Sequence, residues 1–158
     1  MLAADASSRL DLHALWCDDI RQEVGNKPSF MGVYTGALVV PQLPLTLPKL
    51  CVWLTLSAPQ ELPLQDVEVA VALVGGAELL RLPLPMTAEP HRTSEATPLQ
   101  QRARQQVMLA LELAPLNLPA HASALMVALT VRGVEVANAS LPVVSQMFAG
   151  ASTSTPAG

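Results

Sequence analysis

The stretch LPKLCVWLTLSAP, residues 47–59, alternates between two faces: Leu50, Val52, Leu54 and Leu56 fall on one, and Cys51, Trp53 and Thr55 on the other. Prolines close both ends of the run. A period of two marks a strand, because successive Cβ atoms leave opposite sides of a pleated backbone. With apolar residues on both faces, the run reads as a buried central strand.

The same rhythm continues on either side. In DVEVAVALVGGAELLRLPL, residues 66–84, Val67, Val69, Val71 and Leu73 alternate with Glu68, Ala70 and Ala72. Gly75 and Gly76 then supply the positive φ angles of a tight hairpin, and Leu79 to Leu82 form the return strand. Val107, Leu109, Leu111 and Leu113 mark another strand, and Leu125, Val127, Leu129 and Val131 alternate up to Arg132 and Gly133. After that turn VEVANASLPVV, residues 134–144, returns. Strand pairs at short intervals with little helix predict an all-β chain, a single antiparallel β-sandwich that is immunoglobulin-like or related.

Thr97-Pro98-Leu99-Gln100 fits a capping box, so at most a short helix is expected near residues 98–106 before the chain returns to strand. The 158 residues suit one domain. The expected organisation is a flexible N-terminus over 1–10, the sandwich over 11–146, and a disordered tail over 147–158, where FAGASTSTPAG offers few bulky side chains to offset the entropy of ordering.

Charged residues make up 14% of the chain, against a usual value of about 25%. A net charge of −4 and a pI near 5.2 give no basic track, which argues against nucleic-acid binding. Apolar runs are all interrupted short of the roughly 20 residues a membrane helix needs. The first residues lack the basic and apolar regions of a signal peptide, so a cytoplasmic location is expected. Cys17 and Cys51 read as reduced core thiols, with a disulfide as the alternative.

Pro85 to Gln106 is a polar interruption carrying His91, Arg92, Ser94 and Glu95, and charge also clusters in CDDIRQEVGNKPSFMGVY, residues 17–34. Read as a hairpin with a two-residue Gly25-Asn26 turn, it sets Val24 against Lys27, Arg21 against Phe30 and Asp19 against Gly32. Asp19, Arg21 and Glu23 then share a strand face, and Asp18 takes the other. Asp18, Asp19, Arg21, Glu23 and Lys27 are therefore expected to form a structural polar cluster or a binding surface. Catalysis by Asp18 with Asp19, or by Asp19 with Glu23, is disfavoured because adjacent strand residues diverge.

A metal site combining His13 with Asp18, Asp19 or Glu23 matches no compact ligand spacing. No catalytic residue, metal or cofactor is expected. His91 and His121 stand apart from other ligand types; an enzyme would need His91, Glu89 and Glu95 to converge with the Asp18–Arg21 cluster. The sequon Asn138-Ala139-Ser140 reads as chance.

With CDDIRQEVGNK, SFMGVY and LVVPQLPLTLPKLCVWL in view, the N-terminal third resembles an uncharacterised bacterial family of small β-sandwich domains, a domain-of-unknown-function family. ALMVALTVRGVEVANASLPV extends the resemblance more loosely, over residues 13–144. Pro28 departs from the pattern, and its missing N–H implies a sheet edge. The resemblance implies a fold and no activity.

Ala70, Ala72, Ala110, Met126 and Ala128 occupy strand positions that usually carry polar groups. A face so poor in charge is expected to be covered by a second copy or by another protein. The expected function is a non-enzymatic intracellular binding or scaffolding module that self-associates or recruits a protein partner. The alternative is an accessory component of a phage-like or other large assembly.

Overall fold

The computed structural model of the chain describes residues 10–59, 66–84 and 104–149. In chain order it forms β1 (Asp11–Cys17), β2 (Asp19–Glu23), β3 (Lys27–Met31), β4 (Leu38–Val40), β5 (Leu45–Leu47) and β6 (Leu50–Pro59). There follow β7 (Val67–Leu73), β8 (Glu78–Pro83), β9 (Arg104–Leu113), β10 (Leu116–Leu118), β11 (Ala124–Val131) and β12 (Val134–Ser145), then a helical turn, α1 (Gln146–Ala149). The fold is all-β.

Within LPKLCVWLTLSAP, Leu50 to Pro59 form β6, the middle strand of a three-stranded sheet ordered β1-β6-β9. Leu50, Val52, Leu54 and Leu56 are all buried, on the face aligned with Trp16, Ala14 and Leu12 of β1 and with Leu113, Leu111, Leu109 and Val107 of β9. A second sheet of five strands runs β4-β12-β11-β7-β8. Its Val69 and Leu129 line one small hollow with Leu54, Leu56 and Leu109 of the first sheet, and the two sheets share one core. Every pairing in the two sheets is antiparallel except β4 with β12, which is parallel. The expected all-antiparallel arrangement is corrected there.

Both glycine hairpins form where the sequence indicates. Gly75 adopts φ 72° between β7 and β8, while Gly76 is not left-handed. Arg132 and Gly133 both have positive φ, at 52° and 76°, the geometry of a type I′ turn that matches strand twist. β8 begins at Glu78, and a register shift against β7 lies between Val71 and Ala72.

Of the helix expected near 98–106, residues 104–106 belong instead to β9, where pairing with β6 satisfies their backbone groups; residues 98–103 lie outside the described residues. Leu10 is buried in the core, and α1 includes residues 147–149, where the tail was expected to begin. The remaining expected flexible ends, 1–9 and 150–158, lie outside the described residues, as do His91, Glu89 and Glu95.

Candidate functional site

The polar segment does not form one continuous strand. β1 ends at Cys17, Asp18 makes a corner, and β2 begins at Asp19. The corner is stitched by backbone bonds: the Asp18 N–H donates to the carbonyls of Met31 at 2.9 Å and Gly32 at 3.3 Å, and the Tyr34 N–H donates to the Trp16 carbonyl at 2.9 Å. Asp18 is exposed, and its Oδ1 accepts a hydrogen bond from the Tyr34 hydroxyl. Gly32 makes this possible. It has φ 64°, and a Cβ there would lie 1.9 Å from Asp18 Oδ2.

β2 and β3 pair in a register one residue away from that expected. Asp19 lies opposite Met31, Arg21 opposite Ser29 and Glu23 opposite Lys27. The loop holds three residues, Val24, Gly25 and Asn26, with Gly25 and Asn26 both left-handed at φ 83° and 60°. The Gln22 side chain donates to Asn26 Oδ1 at 2.6 Å. This register has a physical advantage: Ile20 faces Phe30, so both apolar side chains share one side of the ribbon. From that side Phe30 meets Trp53 of β6 edge-on, with ring centroids 5.5 Å apart. β2 and β3 form a two-stranded sheet of their own, so Pro28 sits on an edge strand, as its missing donor requires.

The opposite side of the ribbon carries charge. Asp19 Oδ2 accepts from Arg21 Nε at 3.0 Å, and Oδ1 accepts from Lys49 Nζ. These two cations hold the Asp19 carboxyl below the usual carboxylate range, chiefly through the hydrogen bond from Lys49. The same bond raises Lys49. The network is only partly sheltered, with Asp19 28% and Lys49 33% exposed. Burial, then the bond to Asp18, pushes the Tyr34 phenol up to about 12.

The expected ladder of Asp19, Arg21 and Glu23 is thus corrected. Lys49, from the approach to β6, replaces Glu23 as the third member. Glu23 and Lys27 are exposed cross-strand neighbours at the hairpin tip, and neither joins the Asp19 pairing. His13 lies on β1 opposite Thr55, five residues before the Asp18 corner. Among the described residues, no group of three or more His, Cys, Asp or Glu is placed to hold a metal ion.

Sequence reasoning missed Tyr34, Gly32 and Lys49. The available signal was Lys49 itself, one of two lysines in the chain, placed immediately before the central strand. Asp18 and Asp19 are directed to different partners, Asp18 to Tyr34 and Asp19 to Arg21 and Lys49. An open depression of about 330 Å³ lies elsewhere, lined by Pro44, Leu45, Thr46, Asn117, Leu118 and Pro119. Two of its lining residues are joined, the Thr46 hydroxyl donating to Asn117 Oδ1 at 2.8 Å.

The small residues singled out by the sequence divide between two surfaces. Ala70 pairs with Ala128 and Ala72 with Met126, forming a block on the outer face of the five-stranded sheet. Ala110 lies opposite Trp53 on the outside of the other sheet. Ala70 is only 7% exposed. Its neighbour on β8 is Arg81, whose guanidinium bonds Glu68 at 3.0 Å and Glu78 at 2.7 Å, so charge borders the block.

These features define an all-β domain with a braced polar corner. The chain belongs to a family of unknown function, DUF6941, whose family model matches residues 12–144. Comparison with curated proteins gave no match. No helix among the described residues is long and apolar enough to cross a membrane.

Proposed function

We propose that the domain is a non-enzymatic intracellular binding module that self-associates or recruits a protein partner through the outer face of its five-stranded sheet. The observation that carries this reading is the block of Ala70, Ala72, Met126 and Ala128, four adjacent small or flexible apolar side chains at the middle of a sheet. Alanines on two neighbouring strands leave a flat surface that a second layer can approach closely. The Arg81, Glu68 and Glu78 cluster borders it, an arrangement that suits an interface with an apolar centre and a polar rim.

Sedimentation velocity over a wide range of protein concentrations tests the reading. A discrete, concentration-dependent dimer or small oligomer is expected. A monomer throughout, with no protein retained by the immobilised chain, contradicts it; particles of very large size favour a component of a larger assembly instead.

A further inference from the structure

Cys17 and Cys51 are direct cross-strand partners in the β1–β6 pair, and both are buried, at 0% and 3% exposure. Backbone polar groups of alternate strand residues point to opposite edges. Trp16 and Asp18 direct theirs toward Tyr34, Met31 and Gly32, so Cys17, between them, directs its own toward β6. Cys17 and Cys51 therefore form a hydrogen-bonded pair, for which the Cα separation is about 5.5 Å. That lies within the range of about 4.4–6.8 Å that a disulfide spans. Cross-strand Cβ atoms, however, stand about 4.5–5.5 Å apart in such pairs, wider than the roughly 3.8 Å of a relaxed disulfide. A bond here forms at the cost of drawing the strands together, and strained disulfides are the readily reduced ones.

The sulfurs also share a cover. The Asp19 backbone neighbours the Cys17 thiol and the Ile20 backbone the Cys51 thiol, so the first two residues of β2 lie over the pair. The β2–β3 hairpin above them is secured to β6 and its approach by the Phe30 and Trp53 edge contact and the Asp19 to Lys49 bond. Its other residues are largely exposed, the character of a segment that opens locally while the sandwich stays folded.

We infer that Cys17 and Cys51 are a redox-responsive dithiol, covered by the β2–β3 hairpin, which interconverts with a cross-strand disulfide by exchange with small-molecule disulfides. One cysteine thiolate attacks the small disulfide, whose S–S bond breaks to release one thiolate and leave a mixed disulfide on the protein. The second cysteine then attacks the protein sulfur of that mixed disulfide and expels the other small thiol. The two cysteines lose two electrons and two protons in total, and the small disulfide is reduced to two thiols. Oxidation also changes the sulfurs against which Asp19 and Ile20 lie, so it alters how the hairpin is seated. Burial raises both thiols, Cys17 to about 11; exchange therefore proceeds through the opened hairpin.

The test uses the full chain equilibrated in glutathione buffers of graded reduced-to-oxidised ratio, then acid-quenched, alkylated and measured by mass spectrometry. The expected result is reversible loss of both free thiols within the accessible ratios, with a peptide joining residues 17 and 51. Phe30→Ala should accelerate oxidation several-fold while the sandwich remains folded. Cys17→Ser should stop at a single glutathione adduct. Both thiols remaining reduced under excess glutathione disulfide, a stable adduct in the wild-type chain, or a disulfide that resists reduced glutathione until the protein unfolds would each overturn the inference.

Discussion

Tyr34 donates its hydroxyl proton to Asp18 across the corner where β1 becomes β2, and the carboxylate it holds occupies the space that a side chain at residue 32 would need. Asp18 therefore fixes the course of the chain. Gly32 is tied to it both by conformation, at φ 64°, and by space.

Gly32→Ala should consequently destabilise the protein. A left-handed non-glycine residue costs about 1–3 kcal/mol where the surroundings enforce it, and displacement of Asp18 adds to this. Urea unfolding should show a lower midpoint with an unchanged slope. A midpoint equal to wild type would mean that the corner readily relaxes.

The polar corner should respond to pH at both extremes. The folded pKa of Asp19 lies below its ordinary value of 3.8; below that ordinary value, the unfolded chain binds more protons at this group than the folded one. Stability from Asp19 is present above 3.8 and lost as pH falls toward the folded value. Tyr34 is raised from 10 to about 12, so its contribution is present below 10 and lost as pH rises toward about 12. Lys49, raised from 10.5, weakens in the same alkaline direction. Unfolding midpoints measured against pH should show a smaller acid loss in Asp19→Asn and a smaller alkaline loss in Tyr34→Phe, each relative to its own neutral value.

Because Asp19 and Lys49 are partly exposed, Asp19→Asn and Lys49→Met should each leave a folded protein with a modestly lower midpoint. Outright unfolding, the expectation for breaking a fully buried pair, is not the outcome this geometry supports. Circular dichroism of each variant at neutral pH distinguishes the two.

The core should behave differently. Leu129 is fully buried, with a relative exposure of 0%, so Leu129→Ala should cost about 2–5 kcal/mol. Phe30→Ala instead removes one edge contact from the hairpin. Hydrogen exchange should accelerate in residues 19–31 while β6 amides keep their protection; uniform acceleration across both would show that hairpin and sandwich open together.

The fold was legible wherever local pattern decided it. Alternation places β6, β7, β11 and much of β12, and Arg132-Gly133 forms the two-residue turn of its hairpin, although the register shifts between Leu129 and Thr130. Gly25-Asn26 did not fix its own register. Both residues are left-handed, yet Val24 joins the loop and shifts every partner by one. The preference for Ile20 facing Phe30 depends on Trp53, which arrives from β6. The same limit hid Lys49 and Tyr34, since each meets its aspartate only after distant segments come together. β4, β5 and β10 have three residues apiece, too few for alternation to identify.

The most direct test of the binding-module reading compares the association constants of wild type, Ala128→Glu and Met108→Glu by sedimentation equilibrium, with urea midpoints measured in parallel. Ala128 lies within the small-residue block, and Met108 lies on the outside of the opposite sheet. The account predicts that wild type and Met108→Glu associate alike, whereas Ala128→Glu associates at least about tenfold more weakly, roughly 1.4 kcal/mol, while all three remain folded. Equal association of wild type and Ala128→Glu, or its loss only in Met108→Glu, would contradict the assignment of this face.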